Sequence, residues 1–133
     1  MLSDLEKNSI DHLLGTLEDW ASAERQISYK KAVPFVHVPI ELLAQWDNHN
    51  RMLREVDLFR AIFTERELAK LFAFNATVER YCKARGDHYA DVPEILADQE
   101  WQKLTQAAAE LVKSLARWLD NPEKKSLELI DPD

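Results

Sequence analysis

"ADQEWQKLTQAAAELVKSLARW", Ala97 to Trp118, carries the pattern on which the fold is read. Ala97, Trp101, Leu104, Ala108, Leu111, Leu115 and Trp118 follow one another at alternating steps of four and three residues. That period places all seven on one stripe of an α-helix, and a stripe so long packs against a neighbour at a shallow, coiled-coil-like angle. Just upstream, Asp91-Val92-Pro93-Glu94 offers an acidic cap, a first-turn proline and a box-like glutamate, so the last helix is expected to open there. Asp120-Asn121-Pro122 is expected to close it.

The same logic extends toward the N-terminus. Ser3 with Glu6 makes a capping box, and Leu5, Ser9, Leu13, Leu17 and Trp20, with Ile10, Leu14 and Ala21, form one face of a helix expected to run into the high twenties. "KKAVPFVHVP", Lys30 to Pro39, then breaks the period with two prolines and apolar, partly β-branched residues, which predicts an extended, partly buried crossover. Pro39 suits the first turn of a second helix with the face Ile40, Leu43, Trp46, His49 or Asn50, Leu53, Val56, Phe59 and Phe63. Thr64 and Glu67 form another capping box, marking either a third helix or a bend in a longer one. Leu68, Leu71, Phe72, Asn75, Val78 and Cys82 give its face, and Gly86 fits the left-handed position past its end.

Two glycines in 133 residues and an abundance of Ala, Leu, Glu, Lys, Arg and Gln favour helix throughout. The fold class is therefore all-α: an antiparallel bundle of four or five helices with an extended, proline-containing crossover after the first. Residues 1–120 are expected to form this one domain, and 121–133 a short charged tail, apolar only at Leu127, Leu129 and Ile130. A chain of this length can bury roughly two thirds of its unfolded surface, enough for a core without staples. Cys82 is the lone cysteine, so no internal disulfide or thiol metal set is available. An acidic N-terminus and the lack of any apolar run near ~20 residues predict a protein of the cytoplasm with no membrane span.

The net charge of −7 opposes general affinity for nucleic acid. It is unevenly spread: residues 1–50 hold four Lys/Arg against eight Asp/Glu, 51–85 hold eight against five, and 86–133 hold five against eleven. Within a bundle, a basic middle between two acidic thirds attracts helix to helix. It also leaves an alternative open, a helical subunit of a nucleoprotein assembly that contacts phosphates through Arg51, Arg54, Arg60 and Arg66.

"QWDNHNRM", Gln45 to Met52, interrupts the apolar pattern with five consecutive polar residues. In phase with Trp46 and Leu53, His49 and Asn50 turn inward, and Asn75 at the centre of the next helix face is the expected partner in a buried polar layer. A weaker alternative is a small helical enzyme built around His49, Arg51 and Glu55. None of His12, His37, His49 and His88 belongs to a recognised helical metal motif. The Asp87, His88, Asp91 cluster after Gly86 reads as a solvated histidine beside a helix cap. No catalytic, cofactor-binding or metal-ligating residues are therefore assigned.

Phe74 and Tyr81 lie seven residues apart and roughly 90° from the Leu71–Asn75–Cys82 face, and Leu58, Phe59, Ile62 and Phe63 cover more of their helix than one neighbour needs. Aromatic residues ringed by polar ones resemble the centre of an interface. The function expected on these grounds is protein–protein interaction, as a homodimer, an adaptor or an inhibitor or immunity-type partner, through Phe74, Tyr81, Phe59 and Phe63.

Overall fold

Ser3 and Thr64 each accept the backbone N–H of the residue three positions on, while Glu6 and Glu67 reach back to the cap N–H. Both capping boxes thus begin helices where the sequence places them. The computed structural model describes residues 3–86 and 88–119. These form seven α-helices and no strands: α1 (Asp4–Trp20), α2 (Ala23–Ala32), α3 (Val38–Glu55), α4 (Asp57–Arg60), α5 (Glu65–Arg85), α6 (Gln99–Ser114) and α7 (Ala116–Leu119), with a 3-10 turn at Glu94–Ala97. The Asp120-Asn121-Pro122 stop, the charged tail and Asp87 lie outside the described residues.

The long helices α1, α3, α5 and α6 make an all-α fold in which α1 lies between α3 and α6, and α6 between α1 and α5. Trp20, at the end of α1, meets Leu42 near the start of α3 and Trp101 near the start of α6, so α1 runs antiparallel to both. Arg85, at the end of α5, pairs with Asp98 at the start of α6, so this pair is antiparallel too. Trp20, Trp46 and Trp101 fill the centre with Leu13, Leu17, Leu42, Leu53, Leu71 and Leu104. Gly86 follows α5 at φ 66°, the left-handed region that favours glycine.

Several boundaries differ from those the periodicity predicts. The first helix stops at Trp20, because Ser22 caps a new one by accepting from Arg25 N–H at 3.1 Å. Its continuation, α2, leaves only Val33–His37 as the proline-containing crossover. A separate turn, α4, stands between α3 and α5, which are therefore distinct helices. In α3 the buried stripe is Val38, Pro39, Leu42, Trp46, Asn50 and Leu53; Trp46, Asn50 and Leu53 keep the expected face, but in the first turns Leu42 is buried in place of half-buried Leu43, and Ile40 and Val56 are exposed.

Asp98, not Asp91, caps α6, accepting from Glu100 N–H at 3.0 Å. Ala97 consequently sits exposed in the 3-10 turn, and the seam runs through Trp101, Leu104, Ala108, Leu111 and Leu115. Leu115 leaves helical geometry at φ −101°, ψ 17°, which detaches α7. Arg117 then holds α7 against the start of α5 through a bidentate contact with buried Glu67, at 2.6 and 2.7 Å. Burial works against the charge of Glu67, but Arg117 and the Thr64 N–H outweigh it and hold the carboxyl below its ordinary range.

Gln26, fully buried, secures the α1–α2 break. Its amide nitrogen donates to the carbonyls of Asp19 and Trp20 at 3.0 and 3.2 Å, which the helix end leaves open, and its oxygen accepts the Trp101 indole N–H at 3.0 Å. Replacing Gln26 by Leu keeps comparable bulk and strands all three groups. The expected destabilisation is about 2–4 kcal/mol in urea unfolding; a loss below about 0.5 kcal/mol would show that the break needs no such cap.

Candidate functional site

The four rings assigned to a partner contact are covered by their own chain, each less than 10% exposed. Phe74 meets Trp46 edge-on at 4.9 Å and Trp20 at 5.8 Å. Tyr81 packs on Trp101 and Tyr89 and donates its hydroxyl to Asp98 at 2.9 Å. Phe59 and Phe63 pack on each other, and Phe63 on Trp118. Rings of α1, α3 and α6 cover Phe74 and Tyr81 on α5, while Phe59 of α4 and the neighbouring Phe63 cover each other beside Trp118 of α7, which corrects the assignment of all four to an exposed surface.

The polar layer also divides. Asn75 is buried but accepts from the Trp46 indole at 2.9 Å and donates to Glu79 at 3.1 Å, so its partner is neither His49 nor Asn50. Asn50 is buried with its side-chain oxygen unbonded among the described residues. His49 turns the other way, toward α1, where its Nε2 lies 2.9 Å from the Thr16 hydroxyl. Arg51 and Glu55 do not join it: Arg51 is exposed and pairs with Asp47, and Glu55 is exposed.

Around His49 the α1 and α3 helices leave a groove of about 570 Å³. Leu5, Asn8, Ser9, His12 and Thr16 come from α1, and Gln45, Asn48, His49 and Met52 from α3. No carboxylate, lysine or arginine lines it. Burial, with the charge of His12 nearby, pulls the His49 pKa from 6.5 to about 4, so the ring is neutral at physiological pH. Among the described residues no three of His, Cys, Asp and Glu come together as a metal site.

At the opposite end of α3, the Val33–His37 crossover forms a second polar assembly. Lys30 has three protons and three acceptors: Pro34 O at 2.8 Å, Val36 O at 2.8 Å and Asp91 Oδ2 at 2.6 Å. The other Asp91 oxygen accepts from Val38 N–H and Val92 N–H. Burial opposes the Asp91 charge, yet Lys30 and these N–H groups hold the carboxyl below its ordinary range. His37 caps α3 by accepting the Ile40 N–H at Nδ1, which leaves the Nε2 proton for Tyr89 O at 3.0 Å.

This fixed crossover holds Phe35 outward, 88% exposed, between the two carbonyls that Lys30 binds. Ile40, in the first turn of α3, is half exposed. The crossover is partly buried, as its apolar composition predicts, at Val33, Val36 and His37, and the exception is the exposed Pro34–Phe35 pair, where Lys30 binds the carbonyls on either side of Phe35. Leu5 and Leu58 are also exposed. No family model, curated protein or solved structure matches the chain. Among the described residues no helix is long and apolar enough to cross a membrane.

The depressed His49 pKa has a stability consequence with a defined sign. As pH falls through 6.5 the unfolded chain takes up a proton that the folded chain refuses until about 4, so this contribution is complete above 6.5 and lost between those values. With allowance for the ring's partial exposure, the expected loss is about 1–2 kcal/mol. Urea unfolding across this window should show that slope in the wild-type chain and a flatter one in His49→Gln. The carboxylate part from Asp91 and Glu67 falls at lower pH; equal slopes in the two proteins would contradict the burial of a neutral ring.

Proposed function

We propose that the chain acts by binding a protein partner through the Val33–His37 crossover, with Phe35 as the anchor. The observation that carries this reading is a contrast: the backbone on both sides of Phe35 is tied to Lys30, and Lys30 to Asp91, while the ring itself touches little. Leaving a phenylalanine in water forgoes roughly 1.5–3 kcal/mol of burial. Holding its backbone in one conformation lowers the entropy lost on docking, which suits a hot-spot residue entering an apolar pocket.

Binding of nucleic acid through the basic middle segment has weaker support. Arg51 pairs with Asp47, Arg60 with Asp57 and Arg85 with Asp98, and Arg54 stacks over Phe72, so much of that charge is engaged within the chain. The enzyme reading loses the Arg51 and Glu55 partners that it needs.

The test is a photo-reactive phenylalanine analogue at position 35, with a control at exposed Gln106, irradiated in lysate of the source organism. A discrete adduct at 35, competed by excess unlabelled wild-type chain but not by Phe35→Ser, is the expected result. Lys30→Met should weaken that competition about tenfold through loss of preorganisation, with helicity retained by circular dichroism. The adduct's mass separates a second copy from a different protein. Equal competition by Phe35→Ser would refute Phe35 as the anchor.

A further inference from the structure

The α1–α3 groove carries a separate inference, independent of the Phe35 crossover. Its lining contains two imidazoles and a thioether: His12 from α1, and His49 and Met52 from α3. His49 and Met52 are three residues apart on one helix and so share a face, opposite His12. Met52 is the only methionine besides Met1, and it sits half-buried in this groove.

We propose that His12, His49 and Met52 bind a soft monovalent cation of the copper(I) class in the α1–α3 groove. Thioether sulfur and imidazole nitrogen are ligands that copper(I) accepts. Thioether and imidazole ligands bring no negative charge, which suits a single positive charge better than a divalent one, and the lining offers no carboxylate to balance Zn²⁺, Mg²⁺ or Ca²⁺. The surroundings of His49 also have the form of an outer ligand shell. Nε2 lies 2.9 Å from Thr16 Oγ1, whose hydroxyl is 3.4 Å from Gln45 Oε1; the tautomer in which Nε2–H donates to Thr16 is the one that leaves the Nδ1 lone pair for a metal. Such a hydrogen bond to the far nitrogen orients a ligating histidine and raises its basicity.

Ag⁺ serves as the redox-inert probe. The chain is labelled with ¹³C at the methionine methyls, in a Cys82→Ser background, or Cys82→Ala if serine fails to fold, because the lone thiol would compete for silver. Titration with silver nitrate in chloride-free neutral buffer should move the Met52 methyl resonance, saturate near a single equivalent and leave Met1 in place. His12→Ala, His49→Gln and Met52→Leu, each checked for native helicity, should weaken binding at least about tenfold. Binding by the Met52→Leu chain is read from the His12 and His49 ring resonances, and Zn²⁺ should leave the Met52 methyl unmoved. A Met52 methyl that stays in place in excess Ag⁺, or Ag⁺ affinity unchanged in His49→Gln, would overturn the proposal.

Discussion

Three large indoles buried at one centre impose the constraint around which the bundle is arranged: each brings an N–H that must find an acceptor away from water. Trp20 donates to Leu42 O at 3.2 Å, Trp46 to Asn75 at 2.9 Å and Trp101 to Gln26 at 3.0 Å. The bonds join α1 to α3, α3 to α5, and α6 to α2. A ring of this size contributes much of the apolar burial, but an unmet N–H in the interior costs about 1–3 kcal/mol. Leucine in these places would give burial without directional demand, and the helices would be freer to slide or rotate.

That requirement explains the buried polar residues that look out of place in a core. Gln26 and Asn75 are acceptors for indoles first, and each uses its remaining amide protons locally, on the open carbonyls of α1 or on Glu79. The sequence placed Asn75 on the core face and showed that it needed a partner. Hydrogen-bond partners depend on which helix flanks each side of the stripe: α3 meets α5 at Trp46, whose indole reaches Asn75, and α1 at His49, whose ring reaches Thr16.

Local signals were the most legible part of the fold. The capping boxes at Ser3 and Thr64, the glycine after α5 and the seam from Trp101 to Leu115 act over one or two turns, and neighbouring helices do not alter them. Asp91 was misread because an aspartate before a proline has the chemistry of a cap, while its use here, binding Lys30 across the fold, depends on a residue 61 positions away. Phe74 and Tyr81 were misplaced for a related reason. The angle between a ring and its helix face is visible in sequence, but the tryptophans of α1, α3 and α6 that cover those rings are not. The surfaces most suited to function, Phe35 on its crossover and the groove around His49, are products of packing between separate elements, so residue spacing within one helix could not reveal them.

Exchange of the four indole N–H protons with solvent deuterium, followed by NMR under native conditions, tests the central role of these bonds most directly. Trp118 is the internal reference, since its indole nitrogen has no partner among the described residues. The indoles of Trp20, Trp46 and Trp101 should exchange only through global unfolding, with protection equal to the stability measured in urea, and Trp118 should exchange much faster. Exchange of Trp46 or Trp101 at the Trp118 rate would contradict the account, because the acceptors Asn75 and Gln26 would then not be holding the bundle together.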